Sequence, residues 1–191
     1  MKILKRKFYE RDTKSVAKDL LGKILARKIG NELLLGKIVE TEAYYGKEDP
    51  ASRAYSGKPK FVVKLLASKP GLSLVYMVHA NWLFNVVAHE TEKIGAVLIR
   101  AIEPLKGVEI MKKNRKSKSF VELTNGPGKL TQSLKINNSH NGIDLTKKGE
   151  IFILENKKEN FEIGSGKRIG VTKDLEEDLR FFIKGNKFVS K

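Results

Sequence analysis

The sequence predicts one domain that mixes helices with strands, on three observations. An opening stretch with apolar residues at helical spacing lies between a cap and a stop. Two runs of alternating polar and apolar residues joined by a turn follow at once. Along all 191 residues there is no internal repeat, low-complexity tract or compositional break that would mark a second unit. A chain of this length can bury a real core, so residues 1–191 are expected to fold as one unit.

The elements follow in order. "RDTKSVAKDLLGKIL" reads as a helix with Asp12 or Thr13 as N-cap, Val16, Leu20 and Leu21 on its apolar stripe, and Gly22 as the stop. "KILARKIGNELLLGKIVETEAYY" reads as two strands around a turn at Ile29–Gly30–Asn31. In the second strand, period two puts Ile38, Glu40, Glu42 and Tyr44 on one face and Val39, Thr41 and Ala43 on the other. Two carboxylates roughly 7 Å apart cannot share a proton, yet each raises the other's pKa if water is excluded. Residues 46–69 read as a long irregular loop with Pro50, Gly57 and Pro59 as breakers. "GLSLVYMVHANWLFNVVA" is strand-like sequence interrupted by His79, Asn81 and Asn85, and "GAVLIRAIEP" is a buried run interrupted by Arg100. "IMKKNRKSKSF", with five cations and no acid, is either a solvated loop or frayed helix end, or a phosphate-contacting segment. "NGPGKL" is a turn and helix start. "GKRIGV" and "LRFFIKGNKFVS" read as two late strands with a Gly185–Asn186 turn.

Composition bounds the partners. Thirty-eight Lys plus Arg against 22 Asp plus Glu give a formal net charge of +16, which favours a polyanion. Charge alone does not separate nucleic acid from an anionic membrane. Zero cysteine excludes disulfides, iron–sulfur clusters, cysteine-ligated zinc and a thiol nucleophile. The charged amino terminus has no apolar signal core, and no segment approaches the ~20 apolar residues of a membrane span. An intracellular protein is expected, cytoplasmic or nuclear and not secreted.

His79, His89 and His140 make no metal-ligand spacing, and no nucleophile elbow, P-loop or dinucleotide fingerprint stands in a strand-to-helix context, so no metal or cofactor is expected. What remains is Glu40, Glu42 and Tyr44 on one strand, Tyr76 and Asn85 in an apolar run, and Arg100 among aliphatic residues. Each has a duller account: the glutamates a wet sheet face, Tyr44 rim packing, Asn85 a partner for nearby backbone, Arg100 an ion pair with Glu103. Together they supply aromatic faces for stacking, an amide for a base edge, a carboxylate for water and cations for phosphates, which a base-flipping pocket needs.

The segments "RDTKSVAKDLLGKIL", "GKIVETEAYYGKEDPAS", "LIRAIEPLKG", "NGPGKLTQSLKI", "RIGV" and "IKGNKFVS" stand in an order that resembles the alkyladenine, or 3-methyladenine, family of monofunctional DNA glycosylases, with "VETEAY" and "RAIEP" the most specific. The resemblance implies a single-domain α/β fold, of the α+β type, with a curved, mainly antiparallel sheet or partly open barrel and helices around it. It also implies an enzyme that flips a modified purine (an alkylated adenine or guanine, hypoxanthine or similar) from double-stranded DNA and hydrolyses its glycosidic bond. Carried over by residue, Glu42 is the general base and Arg100 holds the water, with the carbonyl of Ile169 nearby. Tyr44 and Tyr76 stack on the base, and Asn85 rejects guanine. A carboxylate at that place suits the cationic character that develops at C1′. A lyase would need a lysine poised in the pocket, and none is expected.

The sequence departs from the family pattern twice. "DPASRAY" puts Arg53 where the family has a histidine against the flipped base. "YMVHANWLFN" is one residue short where the family has its wedging tyrosine, so His79 is the nearest substitute, with Asn81 or Met77 as alternatives. Lys58, Lys60, Lys112, Lys113 and Lys116 are candidate phosphate contacts. A monomer is expected. The rival expectation is a non-catalytic damaged-DNA or RNA binder on the same scaffold.

Overall fold

The computed structural model describes residues 1–117, 119–157 and 159–190; Lys118 of the basic segment lies outside them. A turn of helix, α1 (Arg6–Tyr9), precedes α2 (Thr13–Asp19), which starts where the Asp12 carboxylate accepts from the amide and hydroxyl of Ser15 at 2.8 and 2.9 Å. Strands β1 (Ile24–Ile29) and β2 (Glu32–Tyr44) meet through a turn in which Gly30 takes φ +57°, as expected.

Residues 46–69 are more regular than expected. They hold α3 (Arg53–Ser56), capped by the Ser52 hydroxyl, and α4 (Lys60–Leu66), which Pro59 precedes instead of breaking. Val62 and Leu66 stand one turn apart and pack with Leu74, Val87 and Ala96, which is the helical spacing that the breakers obscured. Next come β3 (Ser73–Val78) and β4 (Asn81–Val87), a hairpin whose two turn residues, His79 and Ala80, have φ +47° and +58°. A two-residue turn of this hand matches the twist of the strands, and it makes the connection short.

After β5 (Ala96–Lys106) the basic segment forms helix α5 (Val108–Arg115), and "NGPGKL" opens α6 (Pro127–Ser133) with proline in its first turn. Then come β6 (Ile151–Leu154), β7 (Ile163–Gly166) and β8 (Arg180–Ile183). The second of the two late strands lies where expected, since β8 falls within "LRFFIKGNKFVS", and the first does not, since β7 precedes "RIGV". "RIGV" is a loop, and the Gly185–Asn186 turn leads into irregular chain instead of a strand.

All the pairings are antiparallel, in the order β3-β4-β5-β2-β1-β6. The 13-residue β2 is the axis: β5 runs along one edge, while the other edge is taken first by β1 and then, from Glu40 to Glu42, by β8, which also pairs with β7. Register shifts at Leu35/Gly36, Ile38/Glu40 and Glu40/Thr41 curl the sheet into a half-barrel. The main core lies under α2, α5 and α6, with Val16, Ile38, Val39, Phe84, Ile99, Met111, Leu130 and Phe181 among its buried members. Ile38 therefore sits in the core instead of sharing the acidic face, because the shift beside Val39 breaks the alternation. From Glu40 to Tyr44 it holds, and Thr41, facing the other way, donates to the Ala17 carbonyl of α2 at 2.8 Å. No helix among the described residues is long and apolar enough to cross a membrane.

Candidate active site

Where β5 crosses β2, Glu40 pairs with Ala101 and Thr41 with Ile99, so Arg100 faces no partner residue. A bulged residue leaves the ladder and re-aims its side chain. The Arg100 guanidinium lies between the two carboxylates, with Nε 3.2 Å from Glu40 Oε1 and Nη1 3.2 Å from Glu42 Oε1. It does not pair with Glu103, which meets Lys37 at 3.1 Å and Asn186 at 2.8 Å.

Both carboxylates are fully buried, and their surroundings differ. Glu40 is saturated: besides Arg100, it accepts from Arg180 at 3.1 Å and from the hydroxyl and amide of Ser190 at 2.9 and 2.7 Å. It thereby holds the Arg100 guanidinium in place. Glu42 accepts at Oε1 from the Ile169 amide and at Oε2 from the Tyr44 hydroxyl, each at 2.8 Å. Burial pushes the Glu42 carboxyl above the usual carboxylate range, and Arg100, the Ile169 N–H and the Tyr44 hydroxyl pull it part of the way back. Burial, reinforced by Glu42, raises the Tyr44 phenol, so Tyr44 stays a neutral donor. A carboxylate with raised pKa is a stronger base, and this one has a fixed cation on one oxygen and a rotatable hydroxyl on the other.

Above this cluster lies a cavity of about 870 Å³ lined by Tyr44, Arg53, Tyr76, His79, Arg100 and Ile169 among others. Glu42 lies one layer beneath, and its three partners all reach the lining. Arg53, the first residue of α3, holds its guanidinium 5.6 Å from the centre of the Tyr76 ring. Burial raises the Tyr76 phenol, and Arg53 offsets part of that rise. His79 stands at the tip of the β3–β4 hairpin on the cavity's edge. Asn81 is engaged in the turn, donating to the His79 carbonyl at 2.9 Å and packing on α6, where a Cβ at Gly128 would meet Asn81 Oδ1 at 2.5 Å. Met77 is exposed on β3 and outside the lining.

Asn85 is beside the main cavity, closing a small neighbouring one with Tyr44, Arg53 and Tyr76. Its amide donates to the Leu74 and Leu83 carbonyls at 3.2 and 3.3 Å, which commits its N–H groups. Lys58 and Lys60 are exposed just beyond α3. Lys112, Lys113 and Lys116 lie on or at the end of α5, outside the lining, and Lys112 is paired with Glu109 at 2.7 Å. A polar relay nevertheless joins the end of α5 to the hairpin, from Arg115 to Gln132 at 2.8 Å and from Gln132 to Asn81 at 3.4 Å. The expectation that no lysine approaches the cavity is corrected: Lys129 and Lys173 line it, and the Lys129 ammonium is held by Asn125 at 2.9 Å. No group of three or more His, Asp or Glu side chains able to hold a metal forms among the described residues.

The residues that sequence reasoning missed sit behind the cavity. Arg168, buried at the head of the "RIGV" loop, forms a bidentate pair with the buried Asp49 at 2.6 and 2.7 Å and a second pair with Asp174 at 2.6 Å. Arg168 and Asp49 are 119 residues apart, so no local pattern announces the pair.

The family model for methylpurine-DNA glycosylase (MPG) matches residues 7–187 of this chain. Among curated relatives, two provisionally named 3-methyladenine DNA glycosylases, from Clostridium perfringens (strain SM101 / Type A) and Clostridium tetani (strain Massachusetts / E88), are each 45% identical to it over 98% of both chains. One of the same name from Clostridium novyi (strain NT) is 43% identical over the whole of both.

Proposed function

Because this chain belongs to the methylpurine-DNA glycosylase family, we propose that it is a DNA repair enzyme that excises damaged purines from double-stranded DNA by hydrolysis at Glu42. The observation that carries this reading is the buried Glu42 carboxylate, of raised pKa, set with Arg100 under an aromatic-walled cavity of about 870 Å³.

The net charge of +16 draws the protein to the phosphate backbone. The His79 hairpin tip enters the duplex where the target nucleotide leaves, and the purine turns out of the stack into the cavity between Tyr44 and Tyr76. Arg53, already over Tyr76, meets the base edge. C1′ of the sugar then faces the Tyr44, Arg100 and Ile169 floor. A water at Glu42 Oε2, whose one bond is to a rotatable hydroxyl, gives its proton to the carboxylate as its oxygen bonds to C1′. The C1′–N bond breaks, its electron pair leaves with the base, which departs neutral from a cationic alkylpurine and takes a proton from water when the lesion is neutral, and an abasic sugar remains. The Glu42 charge, kept close by Arg100, opposes the positive charge that builds on the sugar.

The reaction needs no amine nucleophile. Lys129 is tied up between Asn125 at 2.9 Å and Glu122 at 3.8 Å, and Lys173 stands exposed at the rim, so neither is free to attack C1′ beside Glu42. The test is a panel of duplexes with one defined lesion each, scored for abasic sites and, in parallel, for borohydride trapping of a protein–DNA adduct. Abasic sites without an adduct support a monofunctional hydrolase. A trapped adduct would make it a lyase, and lesion binding without any abasic site would make it a binder only.

A further inference from the structure

We infer that Arg168 is a positioning residue for the reaction proposed above: it locks the 168–174 loop so that the Ile169 N–H stays on Glu42. The inference deepens that reading of the site and rests on it. Arg168 reaches no point of the cavity lining, yet the geometry around it converges on the base. Its Nη1 donates to Asp49 and, at 2.9 Å, to the carbonyl of Ala43, the residue between Glu42 and Tyr44. Its Nη2 reaches Asp49 and Asp174, its Nε lies 2.9 Å from Asp174, and its own amide donates to Asp174 at 3.1 Å. The guanidinium centre stands 4.6 Å from the centre of the Tyr44 ring. Asp49 in turn accepts from the amides of Tyr45 and Ala51 at 2.9 and 3.0 Å. One buried side chain thus ties together the end of β2, the turn after it and the loop that begins with Ile169.

The next residue's amide is the donor that Glu42 accepts at 2.8 Å. An N–H held on a carboxylate favours its charged form, so a loosened loop raises the Glu42 pKa. The other groups facing Glu42 lie on separate elements: Tyr44 and Glu40 on β2, Arg100 on β5, and Arg180, opposite Glu42 in the register of β8 and bound to Glu40. Arg168 also touches the end of β2, at the Ala43 carbonyl and over the Tyr44 ring, whereas Asp174 holds the loop alone, which makes the loop's effect separable.

The experiment compares the parent with Arg168→Lys and Asp174→Asn. Breaking a buried pair threatens folding, and the partly exposed Asp174 provides the variant that keeps the Asp49 pair intact. Single-turnover excision is followed against pH, and the Glu42 carboxyl is titrated by NMR in protein labelled with ¹³C-glutamate, its resonance assigned by its loss in Glu42→Gln. Both midpoints are expected to rise by about one pH unit, with the high-pH plateau within a few-fold of the parent. Unchanged midpoints, with or without a lower plateau, would make Arg168 a structural residue only and overturn the inference. If the parent excises no base, the reading of the site fails, and the NMR titration still decides whether Arg168 sets the state of Glu42.

Discussion

Replacing Arg100 by Gln removes the one cation among the described residues in contact with Glu42 and leaves two buried carboxylates on the same strand face. Among the described residues, Glu40 keeps Arg180 and Ser190, while Glu42 keeps the Ile169 amide and the Tyr44 hydroxyl. An opposite charge at such a distance lowers a carboxyl by about 1–3 pKa units, so its loss raises Glu42, already above its usual range, by about that much again. The sign follows from the role. Glu42 works ionised, so excision falls as pH drops through its pKa, and a higher pKa moves that acidic limb to higher pH. At pH values below the parent's acidic limb the variant loses about 10- to 1000-fold, and raising the pH restores most of the loss, up to where the protein or duplex fails. The assay is single-turnover excision from pH 5 to 9 at 20 °C. The low temperature is needed because unpairing a buried ion pair costs about 3–5 kcal/mol, or ~6–20 °C of Tm in a domain of this size. Arg100→Lys keeps a charge and should keep the limb near its parent position. A pH-independent loss in Arg100→Gln would refute the electrostatic account and leave Arg100 as a holder of water or sugar.

Three further outcomes follow from named features. Affinity for undamaged duplex should fall with salt at a log–log slope near −0.9 for each phosphate neutralised, and changing Lys112, Lys113 and Lys116 together should flatten that slope by about 2–3; an unchanged slope would return the end of α5 to solvent. His79→Ala should cost about tenfold in excision from duplex and less from single strands, which have no stack to plug; equal losses would move the wedge to another residue. Arg53→His should shift the excision ratio of hypoxanthine to 3-methyladenine toward the cationic base by about 5- to 30-fold, because a fixed guanidinium repels it and contributes ~1–2 kcal/mol to a neutral one. If the ratio stays constant while affinity for all duplexes falls alike, Arg53 is a backbone contact.

The acidic face was legible because a strand's period is two: from Glu40 to Tyr44, alternation alone places the carboxylates and the phenol together. Ile38 escaped that rule because a register shift is a property of two strands, and nothing within "GKIVETEAY" announces it. The next shift, at Glu40/Thr41, takes Arg100 out of the ladder and sets it between Glu40 and Glu42, so the pair with its sequence neighbour Glu103, one of the readings open from the sequence, does not form. Short helices α3 and α4 were hidden by Pro and Gly read as breakers, although Pro59 precedes a helix and Gly57, at φ +68°, ends one. Arg168 lay in a quoted motif without a role, since a buried pair with a partner 119 residues away leaves no local trace. For Ile169, the expected contribution was its carbonyl, and the group that meets Glu42 is its amide.

The central claim is that Glu42 is the base and Glu40, although equally buried on the same face, is not. The most direct measurement is single-turnover excision of the preferred lesion by Glu42→Gln, alongside binding to the same duplex. Glutamine keeps the shape and cannot take the proton, so excision should fall by at least about 10³-fold with lesion affinity within a few-fold of the parent. Excision by Glu42→Gln at near the parent rate would contradict the account.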